Sequence, residues 1–180
     1  MASVFGHAIS ALAIGSSFKN KIITWKFWFI GVLCSIFPDA DVIGFSFGIA
    51  YESFWGHRGF THSLVFAFFF GIFCAFVFYL KKISIAQRAF LVFYFFLCTA
   101  SHSILDAMTT GGKGVAFFTP FDNARYFFPW RPIKVSPLGI ENFFSSWGQK
   151  VILSELIWIG IPCAIWILIQ IIRKNTLQKA

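Results

Sequence analysis

Apolar residues run through this chain in five long stretches, separated by short segments that hold nearly all of its charge. The stretches are Val4 to Phe18, Ile22 to Phe37, Leu64 to Leu80, Ala89 to about Leu105, and Val151 to Ile172. None alternates with period two, and none shows the polar face that a helix packed against a soluble core keeps towards water. Uniform apolarity of this length predicts helices facing lipid, where only helices and closed barrels satisfy the backbone. At 1.5 Å per residue the first stretch reaches only about 22 Å, against roughly 30 Å of hydrocarbon, so it is expected to tilt or to enter part-way. It makes a poor signal peptide, because no basic residue precedes it and the first lysine is Lys19.

Composition supports the same reading. The chain is 58% hydrophobic and 12% charged, with 27 phenylalanines and 7 tryptophans. Soluble domains carry about twice that charge, so an ordinary soluble enzyme, a disordered chain and a disulfide-rich secreted module are all excluded. The expected fold class is all-α and integral to the membrane. It has about five transmembrane helices forming one domain over residues 1–180, with a long extracytoplasmic loop between helices four and five. Cys34, Cys74, Cys98 and Cys163 fall inside apolar stretches and read as small hydrophobes, not as a disulfide or a cysteine metal site.

The net charge of +8 matters less than where it lies. Lys19, Lys21 and Lys26 separate the first two stretches; Lys81, Lys82 and Arg88 separate the third and fourth; Arg173, Lys174 and Lys179 follow the fifth. In a five-span model all of these share one side, which the positive-inside rule makes cytoplasmic, with the C-terminus inside. Basic residues scattered at span edges do not form the one-sided patch that nucleic acid requires, so no nucleic-acid partner is expected.

The opposite side collects the chemistry. His7 lies near the start of the first stretch, Asp39 and Asp41 close the second, His57 and His62 precede the third, and His102 and Asp106 end the fourth. The i, i+4 spacing of His102 and Asp106 puts them on one helix face. Imidazole and carboxylate together suit zinc, manganese or iron better than magnesium or calcium. Seven candidate ligands exceed one three-ligand catalytic shell, so either one or two divalent ions bind, zinc before manganese, or some of the seven are supporting residues. Either Asp39 or Asp41 can be the ligand, and the two share a face only if Pro38 ends the helix and the chain runs extended. Taken singly, His7 reads as an interface residue, Asp39-Ala40-Asp41 as a turn, and Thr61 or Ser63 as a helix cap. Ionisable groups beside spans nevertheless default to function when they converge. Glu155, inside the fifth stretch, needs a partner or a wet pocket.

These residues carry a resemblance. His7, Pro38-Asp39-Ala40-Asp41, Gly56-His57-Arg58-Gly59-Phe60-Thr61-His62-Ser63, and His102-Ser103-Ile104-Leu105-Asp106 with Thr109, Thr110 and Gly111 resemble the YdjM-like family. This is a group of inner-membrane-associated proteins described as metal-dependent hydrolases, named after a LexA-regulated bacterial member. The segment from Pro120 to Ile133 is similar to one subgroup. The resemblance covers nearly the whole chain and implies a bacterial inner-membrane protein with hydrolase chemistry. On this reading a divalent ion at the extracytoplasmic face activates water, and Asp41, if not a ligand, takes or returns the proton. Arg58, with Arg125 or Arg131, would stabilise developing negative charge. Headgroup depth points to a lipid or lipid-linked ester, phosphoester first. The alternatives are a divalent-metal transporter, which needs ionisable groups at mid-membrane depth, and a non-catalytic metal-binding membrane protein.

Overall fold

The computed structural model describes residues 1–137 and 145–179. All regular structure among them is helical. In chain order the helices are α1 (Val4–Ser16), α2 (Trp25–Ile36), a 3-10 segment (Phe37–Phe47), a single 3-10 turn (Phe60–His62), α3 (Leu64–Val77), α4 (Ile85–Ala107), α5 (Ser146–Glu155), a π-helical turn (Leu156–Gly160) and α6 (Ile161–Lys179). Three continuous stretches are long and apolar enough to cross a membrane: Trp25–Phe47, Ile85–Ala107 and Ser146–Thr176. The stretches expected first and third form shorter apolar helices, Val4–Ser16 and Leu64–Val77.

Serine chemistry sets most of the helix starts. Ser3 caps α1 by accepting from the Gly6 N–H, Ser63 caps α3 through the Phe66 N–H at 3.0 Å, and Ser145 caps α5. Ser84 and Gln87 close the start of α4 reciprocally, at 3.1 and 3.0 Å. Two boundaries depart from the sequence expectation. The second helix begins at Trp25, not at Ile22, because Asn20 folds the preceding residues into a turn by accepting the Ile22 N–H at 3.1 Å. Nor does Pro38 end that span. It occupies the first turn of the 3-10 segment, where its missing N–H costs nothing, and the helical path continues to Phe47 in a tighter coil.

Helices α1 to α4 pack as a bundle through close approach of small residues. A Cβ on Gly31 of α2 would lie 2.1 Å from the Tyr94 hydroxyl, and one on Gly71 of α3 would lie 2.9 Å from the Val92 carbonyl. Glycine is therefore what lets these helices touch, as small residues do in membrane interfaces. Phe27 stacks on Tyr94 with ring centroids 3.8 Å apart. Outward-facing Phe68, Phe69, Phe73 and Phe76 on α3, and Ile165, Leu168 and Ile172 on α6, stay exposed, as lipid-facing surface should.

The two ends of the bundle differ. At one, cations cap helix C-termini: Lys174 donates to the Ser16 and Phe18 carbonyls at 2.8 Å, Arg88 to Ala75 at 2.6 Å and Tyr79 at 3.2 Å, and Lys26 to Phe78. Charge there is favoured by the helix dipole as well as by the membrane boundary. At the other end lie the histidines and aspartates. Glu155 also finds its partner there. Its carboxylate accepts the Ser3 N–H and hydroxyl, at the turn where Pro162, lacking an N–H, shifts the hydrogen-bond register to Ile161 N–H→Leu156 O.

Candidate metal centre

Four residues from three elements converge on one buried point. Asp39 comes from the 3-10 segment, His62 from the single 3-10 turn, and His102 and Asp106 from one face of α4. Each can offer one atom such that all four lie within 4.8 Å of one another. His62 Nε2 and His102 Nε2 are 3.0 Å apart, and His102 Nε2 is 3.3 Å from Asp39 Oδ1. His62 Nε2 stands 3.7 Å from Asp39 Oδ1 and 3.8 Å from Asp106 Oδ2. A tetrahedral ion with bonds of about 2.0–2.1 Å separates its ligand atoms by about 3.3 Å, so the cluster has the right size. His7 completes it, stacked on His102 with centroids 3.8 Å apart and with Nε2 3.6 Å from Asp106 Oδ1.

The donor set also passes a chemical test. Both oxygens of Asp39, one of Asp106 and both ring nitrogens of His7 are buried without a hydrogen-bond partner among the described residues. Asp39 is 7% exposed and the other three clustered residues not at all. Buried acceptors left unpaired are costly, and a cation placed between them removes that cost. A metal ion therefore fits the residues present.

The remaining predicted residues surround this cluster instead of entering it. The 3-10 coil, with about three residues per turn, sends Asp39 and Asp41 to opposite flanks of His62, where an extended chain would have put them on one face. Asp41 accepts from His57 Nδ1 at 2.7 Å, the Thr61 hydroxyl at 2.7 Å, the Arg58 N–H at 3.1 Å and His62 Nδ1 at 3.2 Å. That contact keeps the His62 proton on Nδ1, directed at the carboxylate, and turns Nε2 inward; the His102 Nδ1 proton is directed in the same way at the Ser35 carbonyl, 2.7 Å away. Asp41, His57 and His62 form a second possible ion-holding group, but its contacts run through Nδ1 atoms already hydrogen-bonded to Asp41. Burial alone would lower the pKa of His62. The carboxylates of Asp39 and Asp41 beside it outweigh it and raise the pKa to about 9.

Arg58, buried completely, takes a backbone φ of +63°, a conformation few non-glycine residues hold. The guanidinium pairs ionically with Asp106, Nε lying 2.9 Å from Oδ2, and donates to the Gly111 carbonyl at 2.9 Å and the Thr109 hydroxyl at 3.0 Å. Arg125 donates to the carbonyls of His57 at 2.8 Å and Tyr51 at 2.9 Å, and burial lowers its pKa. Both guanidiniums are thus engaged with the protein itself. Thr109 and Ser103 were given no role on sequence grounds, although Ser103 donates to the His62 carbonyl at 2.7 Å. The sequence hint of each was its place in the motif that carries the family resemblance, next to His102 or shortly after Asp106.

A helical membrane protein with a buried imidazole–carboxylate group able to hold a metal ion is the class that this fold and this group define. The chain belongs to the YdjM family: the model of the YdjM inner membrane protein matches residues 1–177. It is similar to the inner membrane protein YbcI of Escherichia coli (strain K12), 41% identical over 168 residues, which covers 90% of this chain and 92% of that protein. No solved structure matches it.

Proposed function

We propose that this protein is a metal-dependent hydrolase of the inner membrane that binds one divalent ion, zinc before manganese. Asp39, His62, His102 and Asp106 would hold the ion, with His7 beside them, and the centre would face the extracytoplasmic side. The observation that carries the reading is the buried group of Asp39, His62, His102 and Asp106, whose ligand atoms lie within 4.8 Å of one another while oxygens of both aspartates lack a hydrogen-bond partner. When bound, the ion supplies a Lewis acid and an activated water. Asp41 holds the Nδ1 proton of His62, His57 braces Asp41, and Arg58 fixes Asp106 against the loop at Thr109 and Gly111. In this reading the charge-stabilising role expected for Arg58 and Arg125 becomes a positioning one, since their donors are engaged.

A lipid or lipid-linked ester is the substrate class best supported. An apolar groove of about 290 Å³, walled by Phe5, Ile9, Leu156 and Ile159, ends at Ser3 and Glu155. The neighbouring Ala2 N–H bonds Asp106 Oδ1 at 2.7 Å, so an acyl chain in the groove would end beside the cluster. Complete enclosure of the donors favours one second reading, an ion carrier or non-catalytic ion site. Metal analysis of the detergent-purified protein, with a chelator-controlled panel of phospholipid and lipid-linked esters, separates them. About one ion per chain with chelator-sensitive hydrolysis is expected. Bound ion without turnover of any panel member, with uptake of that ion into sealed proteoliposomes, would overturn the hydrolase in favour of the carrier.

A further inference from the structure

We infer that the opposite end of the bundle carries a separate site for a phosphate-bearing anion, filled by the headgroup of an anionic glycerophospholipid. A cavity of about 690 Å³ lies there between the α1–α2 and α3–α4 connections, against 290 to 360 Å³ for the other cavities described. Lys21, Lys26 and Lys81 line it together with Thr24, Tyr79 and Gln87, and no carboxylate does.

Two features distinguish it from a merely basic membrane boundary. The first turn of α2 opens beside Thr24, which gives it no side-chain cap, whereas the adjacent start of α4 is closed by Ser84 and Gln87. An uncapped helix start favours an anion through its N–H groups and dipole. The Tyr79 ring, which also lines the cavity, lies under the Lys26 ammonium at 5.2 Å. Finally, Lys82 and Lys19 sit beside the lining lysines in sequence but outside the cavity. Three of the five neighbouring lysines therefore line the cavity, Lys26 with its ammonium donating to the Phe78 carbonyl. Apolar walls from Ile22, Val77 and Leu80 suit acyl chains leaving the headgroup, which is why a phospholipid is favoured over free phosphate. Basic pockets between spans commonly recognise such headgroups. The inference stands whether or not the His/Asp cluster is catalytic.

Native mass spectrometry of the full-length, delipidated protein tests it, titrating phosphatidylglycerol against phosphatidylcholine, with inorganic phosphate as competitor. One phosphatidylglycerol should bind at least tenfold more tightly than phosphatidylcholine. Lys81→Gln should weaken it about fivefold, the scale of one lysine at an anionic surface, while Lys82→Gln should leave it unchanged. Phosphatidylglycerol that survives millimolar phosphate identifies the lipid as occupant; displacement by phosphate assigns the same site to the free anion and overturns the lipid. Equal losses in Lys81→Gln and Lys82→Gln, or equal binding of the two lipids, would overturn the site itself.

Discussion

Asp41→Asn should weaken ion binding by 10- to 100-fold without unfolding the chain. The aspartate accepts four bonds: His57 and Thr61 at 2.7 Å, the Arg58 N–H at 3.1 Å and His62 Nδ1 at 3.2 Å. Asparagine has the same size but converts one oxygen into a two-proton donor. With the amide nitrogen on the His62 side, two donors face the Arg58 N–H and the His62 Nδ1 proton. His62 then relieves the clash by carrying its proton on Nε2, the nitrogen that faces Asp39 and His102. With the nitrogen on the other side, His57 loses its acceptor. Either arrangement removes at least one charge-assisted bond, about 1.5–3 kcal/mol. Loss of a residue that orients a ligand from outside typically costs 10–100-fold in affinity, about 1.4–2.8 kcal/mol. The two ranges agree. Asp39→Asn, which alters an oxygen of the cluster itself, should exceed 100-fold. Competition against a chromophoric chelator in detergent, with circular dichroism as the fold control, measures both. An Asp41→Asn affinity within twofold of the native protein, or a smaller loss in Asp39→Asn than in Asp41→Asn, would refute this division between the two aspartates.

His102→Ala should lose the bound ion by elemental analysis, whereas His57→Ala, acting only through Asp41, should keep it at reduced affinity; full occupancy in both breaks the assignment. Arg58→Met strands the buried Asp106 charge and should cost about 3–5 kcal/mol, read as a lower unfolding temperature in detergent, and an unchanged temperature would mean that Asp106 is not held by Arg58. A reporter fused after Lys179 should read cytoplasmic and one inserted at Asn123 should read external, the reverse pattern placing the His/Asp cluster on the cytoplasmic side.

The convergence of the cluster was legible because apolar stretches carry the chain back and forth between the two ends of the bundle, and the polar residues at those ends then share a neighbourhood by topology alone. The i, i+4 pair His102 and Asp106 followed from helix geometry. The division between Asp39 and Asp41 was not legible. It depends on a 3-10 continuation past Pro38, and the residues Val42 to Phe47 read equally well as the start of a loop. Arg58 was legible as important but not in its orientation, since a positive φ outside glycine leaves no mark in the sequence. Glu155 announced its need for a partner, yet Ser3, 152 residues away, could only be found in three dimensions.

The same convergence sets an order in time. Chains fold as they emerge, N-terminal segments first, and here the polar groups that compensate one another emerge far apart. His7 and Asp39 leave the ribosome with the first two helices, before α3 and well before His102 and Asp106 at the far end of α4. Until then the bilayer receives an imidazole and a carboxylate with no counterpart but each other, 3.9 Å apart in the folded chain, an expensive cargo for lipid. The first half of this protein therefore has reason to wait at the insertion machinery for the fourth helix. A chain truncated between Val77 and Ile85 should be cleared by proteases, not accumulate as a stable two- or three-helix fragment.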